Sequence, residues 1–393
     1  MKSFDFDKII NRTNTNSIKH DFCERRGMPK GLLPMWVADT EFDVPYFVQD
    51  AIKKRAEHGI FGYSEPTDSY FEVLKAWNER RYGFSPKKEW HINVPGIVFA
   101  LSLAIKAFTN VGESVLIQPP VYYPFRGTIL ENDRKLVNNP LVLNKKTMQY
   151  EIDFSDFEKK IVENNVKLFV LCSPHNPVGR VWTQDELKKM GEICLKHKVL
   201  VFSDEIHIDY VYAGCKHHVF STVCDSFSKS TILATAPSKT FNIAGLQFSD
   251  IFIACPNLKA KYEKEFRKSG YDQLNCFGIV AAQASYEKGD SYVDEMVKYL
   301  YKNVELIDSF LKENLPKVKL IKPESTYLAW LDFSEYGLPQ DALNNIIIKK
   351  GGLWLSSGTV FGNEGLGFMR MNFGCPKSTL IEALQKLKTA LAV

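Results

Sequence analysis

Ser203-Asp204-Glu205-Ile206-His207 and Ala236-Pro237-Ser238-Lys239-Thr240 stand 35 residues apart, counted from Asp204 to Lys239, and their settings match. Each follows a short apolar run, Val199-Leu200-Val201-Phe202 before the first and Thr231-Ile232-Leu233-Ala234 before the second. Apolar runs of this length, closed by polar residues, read as buried strands. An acid and a lysine are therefore expected at the carboxyl ends of two such strands, the edge at which open α/β sheets bind their ligands.

The same pattern extends outward from this pair. Strands are expected at 114–118, 168–172, 199–203, 231–234 and 251–255, separated by helix-length amphipathic segments. The helix after Trp182 opens on Thr183 with Glu186 three residues later, a capping box. Strands alternating with helices imply an α/β fold whose mostly parallel sheet is covered on both faces. At 393 residues the chain suggests two or three domains. The expected division is an N-terminal arm with part of the small domain over 1–45, a large domain over 46–288 and a smaller α+β domain over 289–393. In the last, helices are expected at 292–314, 340–350 and from Lys377, with strand-like segments at 318–321, 327–331 and 367–373. A cleft between the domains is the expected place for a substrate.

Composition excludes several classes of function. A net charge of +4 with scattered lysines gives nucleic-acid binding no footing. No apolar run approaches a membrane span, and Met1-Lys2-Ser3-Phe4-Asp5 lacks the apolar core of a signal peptide, so a cytoplasmic location is expected. The eight cysteines form no Cys-x-x-Cys pair and read as reduced thiols. Cys215, His217 and His218 are the nearest approach to metal spacing, and no second cluster completes it; no metal is expected.

A lysine and an acid at one sheet edge suit pyridoxal phosphate (PLP). Its aldehyde needs an amine for a Schiff base, and its ring nitrogen needs a carboxylate that keeps it protonated. Lys239 and Asp204 supply these groups. Alone, Asp204 could be a helix cap and Lys239 a surface lysine; the company they keep decides between the readings. Pro95-Gly96-Ile97-Val98-Phe99-Ala100 opens a helix, whose free N–H groups suit a phosphate. Pro119-Pro120-Val121-Tyr122-Tyr123-Pro124 and Pro174-His175-Asn176-Pro177-Val178-Gly179 each follow an expected strand, though the second is also a plain turn sequence. Arg370 lies inside the apolar Phe368-Met369-Arg370-Met371-Asn372-Phe373, where a guanidinium needs either a carboxylate ligand or a structural salt bridge.

With these motifs in this order, the sequence resembles the fold-type I PLP enzymes of the class I/II aminotransferase superfamily, and within it the cystathionine β-lyase group often called MalY/PatB. The resemblance spans essentially the whole chain, from Trp36-Val37-Ala38-Asp39 to the Arg370 motif. It implies a seven-stranded, mostly parallel sheet and a homodimer with shared active sites. It also implies roles. Lys239, Asp204 and Tyr122 are the expected catalytic residues, and Val98, Phe99, Asn176, His207, Ser238 and Tyr63 join them in holding PLP. The amides near Val98 and Phe99 take the phosphate with the Ser238 hydroxyl and that of Thr235, Asn176 the ring hydroxyl, Tyr122 or alternatively Tyr123 the ring face, and Tyr63 a neighbour's phosphate. Arg370 takes the substrate carboxylate, with the amide of Ala38 or Asp39. Two departures stand out: His207 sits where many aminotransferases carry a tyrosine, and Gln247 where many carry a phosphate-binding arginine. The implied reaction is elimination of a thiol from a sulfur-containing amino acid. Transamination is the alternative, and a PLP-binding regulatory protein with little turnover a further one.

Overall fold

The computed structural model describes residues 4–392. A seven-stranded sheet is built from β1 (His91–Val94), β2 (Ser114–Ile117), β3 (Lys135–Asn138), β4 (Leu168–Cys172), β5 (Leu200–Asp204), β6 (Thr231–Thr235) and β7 (Ser249–Phe252), in the order β1-β7-β6-β5-β4-β2-β3. Only β7 runs against its neighbours; β6, β5, β4, β2 and β3 are parallel.

The period of two along each strand divides the core. Leu116, Phe169, Leu171 and Val201 enter the cluster on one face, while Val115, Ile117, Leu168, Val170, Cys172 and Phe202 enter the cluster on the other. At about 1.5–3 kcal/mol per buried large apolar side chain, these runs fix the register, since a slip of one residue would exchange the faces. The same parity places Asp204 on the Phe202 face, against which the helix Ile97–Phe108 packs, and turns Ser203 and Glu205 to the other. Pairing sets Cys172 beside Asp204 and Asp204 beside Ala234 at the carboxyl ends of the strands.

Two edge strands were not expected from sequence. β3 exposes Lys135 and Asn138 and buries only Val137 well, so its apolar signal is short. β1 is a four-residue alternation, His-Ile-Asn-Val. The strand expected at 251–255 begins instead at Ser249, because the polar Asp250 is buried within it. Asp250 accepts hydrogen bonds from the hydroxyls of Tyr70 (2.7 Å) and Tyr286 (2.9 Å), from Asn93 Nδ2 (2.8 Å), and pairs with His91 Nε2 (2.8 Å). Partners distant in sequence satisfy this acid, so the local pattern does not show it.

A four-stranded antiparallel sheet follows, from β8 (Lys319–Ile321), β9 (Leu328–Asp332), β10 (Ser356–Ser357) and β11 (Phe368–Asn372), in the order β8-β9-β11-β10. The helices Asp290–Asn314, Gln340–Lys349 and Lys377–Leu391 lie close to their expected spans. The capping box on Gln184–Lys196 is formed as expected, with Glu186 N–H donating to Thr183 Oγ1 and Thr183 N–H to Glu186 Oε2.

The N-terminal arm joins the two sheets. Leu33–Pro34 pairs in parallel with Leu353–Trp354, and the chain then runs along the ligand edge. There Asn372 Nδ2 donates to the carbonyls of Val37 (2.5 Å) and Asp39 (2.6 Å), and Asn242 Nδ2 to those of Thr40 (3.0 Å) and Phe42 (3.1 Å). Among the described residues no helix is long and apolar enough to cross a membrane.

Candidate active site

A cavity of about 210 Å³ opens where the strand ends, the helix Ile97–Phe108 and the N-terminal arm meet. Val98, Phe99, Tyr122, Asn176, Asp204, His207, Ser238, Lys239 and Ala38 all line it. Nine of the residues expected from sequence therefore converge on one space.

Lys239 follows β6 in a turn held by Phe241 N–H to Pro237 O (2.9 Å) and Ile243 N–H to Ser238 O (3.0 Å). Its Nζ donates to the Ala38 carbonyl at 2.7 Å, and burial lowers its pKa from the ordinary amine value. Asp204, 3% exposed, accepts Ile206 N–H at 3.1 Å. Burial pushes its carboxyl up from 3.8 to about 7, against the opposing pull of that hydrogen bond and of Lys239. Its local bond is the short side-chain to main-chain turn that the cap reading anticipated, yet one oxygen remains for a cation or an N–H donor.

One end of the cavity is formed by backbone. Ala100 N–H makes the first intrahelical bond, to Gly96 O at 2.9 Å, which leaves the amides of Ile97, Val98 and Phe99 without intrahelical acceptors. The Ser238 hydroxyl lies in the same cavity, and the Thr235 hydroxyl is buried without a hydrogen-bond partner. Gln247 does not line the cavity, whereas Phe248 and Ser249 beside it do. The only cationic side chain in the lining is Lys239.

Arg370, 3% exposed on β11, is not itself in the cavity lining and meets it through Asn176. One nitrogen donates to Asn176 Oδ1 (3.1 Å), the other to the carbonyl of Trp36 (2.6 Å) and to Ser356 Oγ (3.4 Å), while Nε is buried without a partner. No carboxylate pairs with it among the described residues, so the structural salt bridge considered from sequence is not formed. Burial lowers its pKa to about 10. Asn176 engages Arg370 through its oxygen and keeps its amide nitrogen for another acceptor, while its own N–H donates to Cys172 Sγ at 3.4 Å.

His207 lines the cavity with Nδ1 buried and unpartnered, and burial lowers its pKa to about 3, so the ring is neutral at ordinary pH. Its rings of contact are Tyr210 and Tyr327. Tyr122 packs edge-on against Phe125 at 5.6 Å, and burial raises its phenol pKa. Tyr123 is 47% exposed and lies outside the lining.

Besides Arg370, two expected residues lie outside the lining. The Asp39 carboxylate pairs with Arg12 (2.7 Å) and Lys19 (3.3 Å) on the N-terminal arm, which leaves the role expected of its main-chain amide untouched. Tyr63 is 92% exposed on a segment outside this chain's cavity. The cysteine and histidines considered for metal spacing are not gathered: His217 Nε2 instead pairs with the buried Glu205 at 2.7 Å. Among the described residues, no group of three or more His, Cys, Asp or Glu is placed to hold a metal.

Sequence reading missed Cys172, Ile206, Ala244, Phe248 and Ser249 in the lining, and Trp36 and Ser356 as partners of Arg370. The cavity residues are apolar or small, and nothing in their local pattern distinguishes a pocket wall from core. The residues present fit pyridoxal phosphate on four independent grounds. These are an amine that can bond to an aldehyde, an enclosed carboxylate short of a cation, a helix terminus with three free N–H groups, and a guanidinium with an orphaned Nε.

A family model described as aminotransferase class I and II matches residues 39–387. Cystathionine beta-lyase PatB of Bacillus subtilis is 43% identical over 387 residues, covering 98% of this chain and all of that one. Among solved structures, a PLP-bound putative aminotransferase from Clostridium difficile superposes with a TM-score of 0.97 at 42% identity, covering 99% of this chain and 100% of that chain. Cystalysin from Treponema denticola, whose structure contains PLP, follows at 0.95 and 35% identity, covering 99% of each chain.

Proposed function

We propose that this chain, which belongs to the class I and II aminotransferase family, is a PLP-dependent carbon–sulfur β-lyase of the cystathionine β-lyase type. Its fold is that of the fold-type I PLP enzymes. The observation that carries the reading is that the Lys239 amine and the Asp204 carboxylate line one cavity, while the Arg370 guanidinium, its Nε without a partner, bonds to Asn176 in that lining.

PLP, when bound, supplies the electron sink that lets a Cα–H bond of an amino acid break. Lys239 would hold its aldehyde covalently, and the Lys239 amine, when free, would take the Cα proton at Nζ. Asp204 would keep the PLP ring nitrogen protonated, since a carboxylate enclosed with few donors binds a positive N–H strongly. The amides of Val98 and Phe99 and the Ser238 hydroxyl would receive the PLP phosphate, Asn176 and His207 would hold the ring, and Tyr122 would pack on it. Arg370 takes the substrate α-carboxylate in a two-pronged bond, with the Ala38–Asp39 main chain at its side. Loss of a thiolate from Cβ would then give an aminoacrylate that hydrolyses to pyruvate and ammonia.

The protein acts as a homodimer. Support comes from Tyr63, which together with Ile60 (68%) and Phe61 (56%) presents exposed apolar surface on one segment, suited to a second copy. The division into an arm over 1–45, a large domain over 46–288 and a small domain over 289–393 is supported by the two sheets and by the turn at Gly289 between two helices. A cytoplasmic location is supported by eight free cysteines, as a reducing compartment keeps them.

The test is incubation of the purified protein with cystathionine and no keto acid. Pyruvate release is expected; strict dependence on an added keto acid would instead make the protein an aminotransferase.

A further inference from the structure

The Ala38 carbonyl is shared. Lys239 Nζ donates to it at 2.7 Å, and the hydroxyl of Tyr327 donates to it at 2.9 Å. Tyr327 is wholly enclosed, at the start of β9. A second tyrosine holds the other end of the lysine, since the Tyr210 hydroxyl donates to the main-chain carbonyl of Lys239 at 2.6 Å. The two tyrosine rings meet edge to face at 4.8 Å, and His207 packs against both.

The backbone before Tyr327 is strained. Thr326 has a φ of 73°, in the left-handed region that a β-branched residue rarely adopts. Its N–H donates to Tyr210 O (3.1 Å), its carbonyl accepts the Tyr212 hydroxyl, and its Oγ1 accepts Leu328 N–H (3.2 Å). Such strain persists only where the surroundings over-determine the conformation. Here what is held is the direction of Tyr327 toward Ala38.

A lysine that moves protons needs its amine at a reproducible station, because its four-carbon stem has many rotamers and proton transfer requires hydrogen-bond range. We propose that Tyr327 is a positioning residue for Lys239, fixing the Ala38 carbonyl as the station of the amine whenever that amine is not covalently engaged. When the Cα–H bond breaks, its proton goes to Nζ, its electron pair stays with substrate and cofactor, and the ammonium formed has an acceptor already in place. This rests on Lys239 being the base, as in the function above.

The variant is Tyr327→Phe, which deletes one oxygen and keeps the ring packing. In the PLP-loaded protein, the Cα hydrogen of alanine is followed as it exchanges in deuterated water. Alanine has no leaving group, so the rate reads proton transfer apart from elimination. Exchange is expected to slow about 10- to 100-fold, the scale of a misplaced catalytic group, while alanine affinity stays within about threefold. The second readout uses cofactor-free protein and cyanate, with carbamoylated Lys239 located by peptide mapping. A carbonyl no longer held by Tyr327 favours the ammonium less, so carbamoylation is expected to quicken at least about threefold. Tyr262→Phe, which removes an equally buried hydroxyl bonded to Ala100 O (3.2 Å), should change neither rate. Exchange within about threefold of the parent, unchanged or slower carbamoylation, or equal effects in Tyr262→Phe would overturn the proposal. A parent protein that does not exchange alanine at all would sink the function instead, and the cyanate arm would still judge Tyr327.

Discussion

Asp204→Asn separates the cost of burying a carboxylate from its use. Burial raises the Asp204 pKa from 3.8 to about 7 in the protein without cofactor. At about 1.4 kcal/mol per unit, the ionised form is disfavoured by up to about 4 kcal/mol. In the unfolded chain the proton leaves near 3.8 and in the folded chain near 7, so the folded state binds more protons between those values. Stability contributed by this group therefore falls as pH rises through that window, and the loss is complete above it. Asparagine keeps the shape and does not titrate. Cofactor-free Asp204→Asn should thus match the parent near about pH 4 and exceed it near about pH 8 by up to about 4 kcal/mol, reduced by about 1 kcal/mol for the weaker bond from Ile206 N–H.

With PLP bound the order reverses, because the carboxylate gains a ring N–H that an amide cannot hold protonated. Turnover of the variant is expected to drop about 100-fold or more, near 2.7 kcal/mol of transition-state stabilisation. Denaturant unfolding of both cofactor-free proteins across that pH range, followed by pyruvate release at saturating PLP, measures the two halves. A variant no more stable than the parent above neutral pH would show that the buried carboxylate is already compensated, and near-normal turnover would give it another job.

Two further outcomes follow from the same site. Arg370→Ala should raise KM for amino-acid substrates about 10- to 100-fold, from loss of a charge-assisted pair of bonds, while PLP content is kept; a variant that unfolds with unchanged affinity would favour a purely structural arginine. Mixing Lys239→Ala with Tyr63→Phe protein should regain activity above either parent through hybrid dimers with one intact site, and no recovery despite proven subunit exchange would place Tyr63 outside the neighbour's site.

The core of this site was legible because its members announce themselves over short distances. Asp204 and Lys239 end apolar runs, Asn176 and Tyr122 follow them in proline-rich turns, and Arg370 interrupts an apolar strand. What was not legible depends on contacts across the chain. Ala38 meets Lys239 from 201 residues away, Arg370 meets Trp36 from 334, and Asp250 is satisfied by Tyr70 from 180. None of these leaves a periodicity, and neither do the small walls Ala244 and Ser249. The edge strand β3 escaped notice for a related reason, as a half-exposed strand of four residues buries too little apolar surface to stand out.

The energetics of the site point to its use. Asp204, Lys239, His207 and Arg370 all have pKa values moved by burial against their charged forms. Their protein partners are mostly neutral: a carbonyl for Lys239, an amide oxygen and a carbonyl for Arg370, a main-chain N–H for Asp204. A fold that encloses an acid and a guanidinium without pairing them gives up stability to do so. A ligand bringing a protonated ring nitrogen to Asp204 and a carboxylate to Arg370 restores both pairings at once, so binding free energy and relief of burial cost act in the same direction. On the proposed function, the two groups would be satisfied together only with cofactor and amino acid both bound, the state from which the Cα proton would leave.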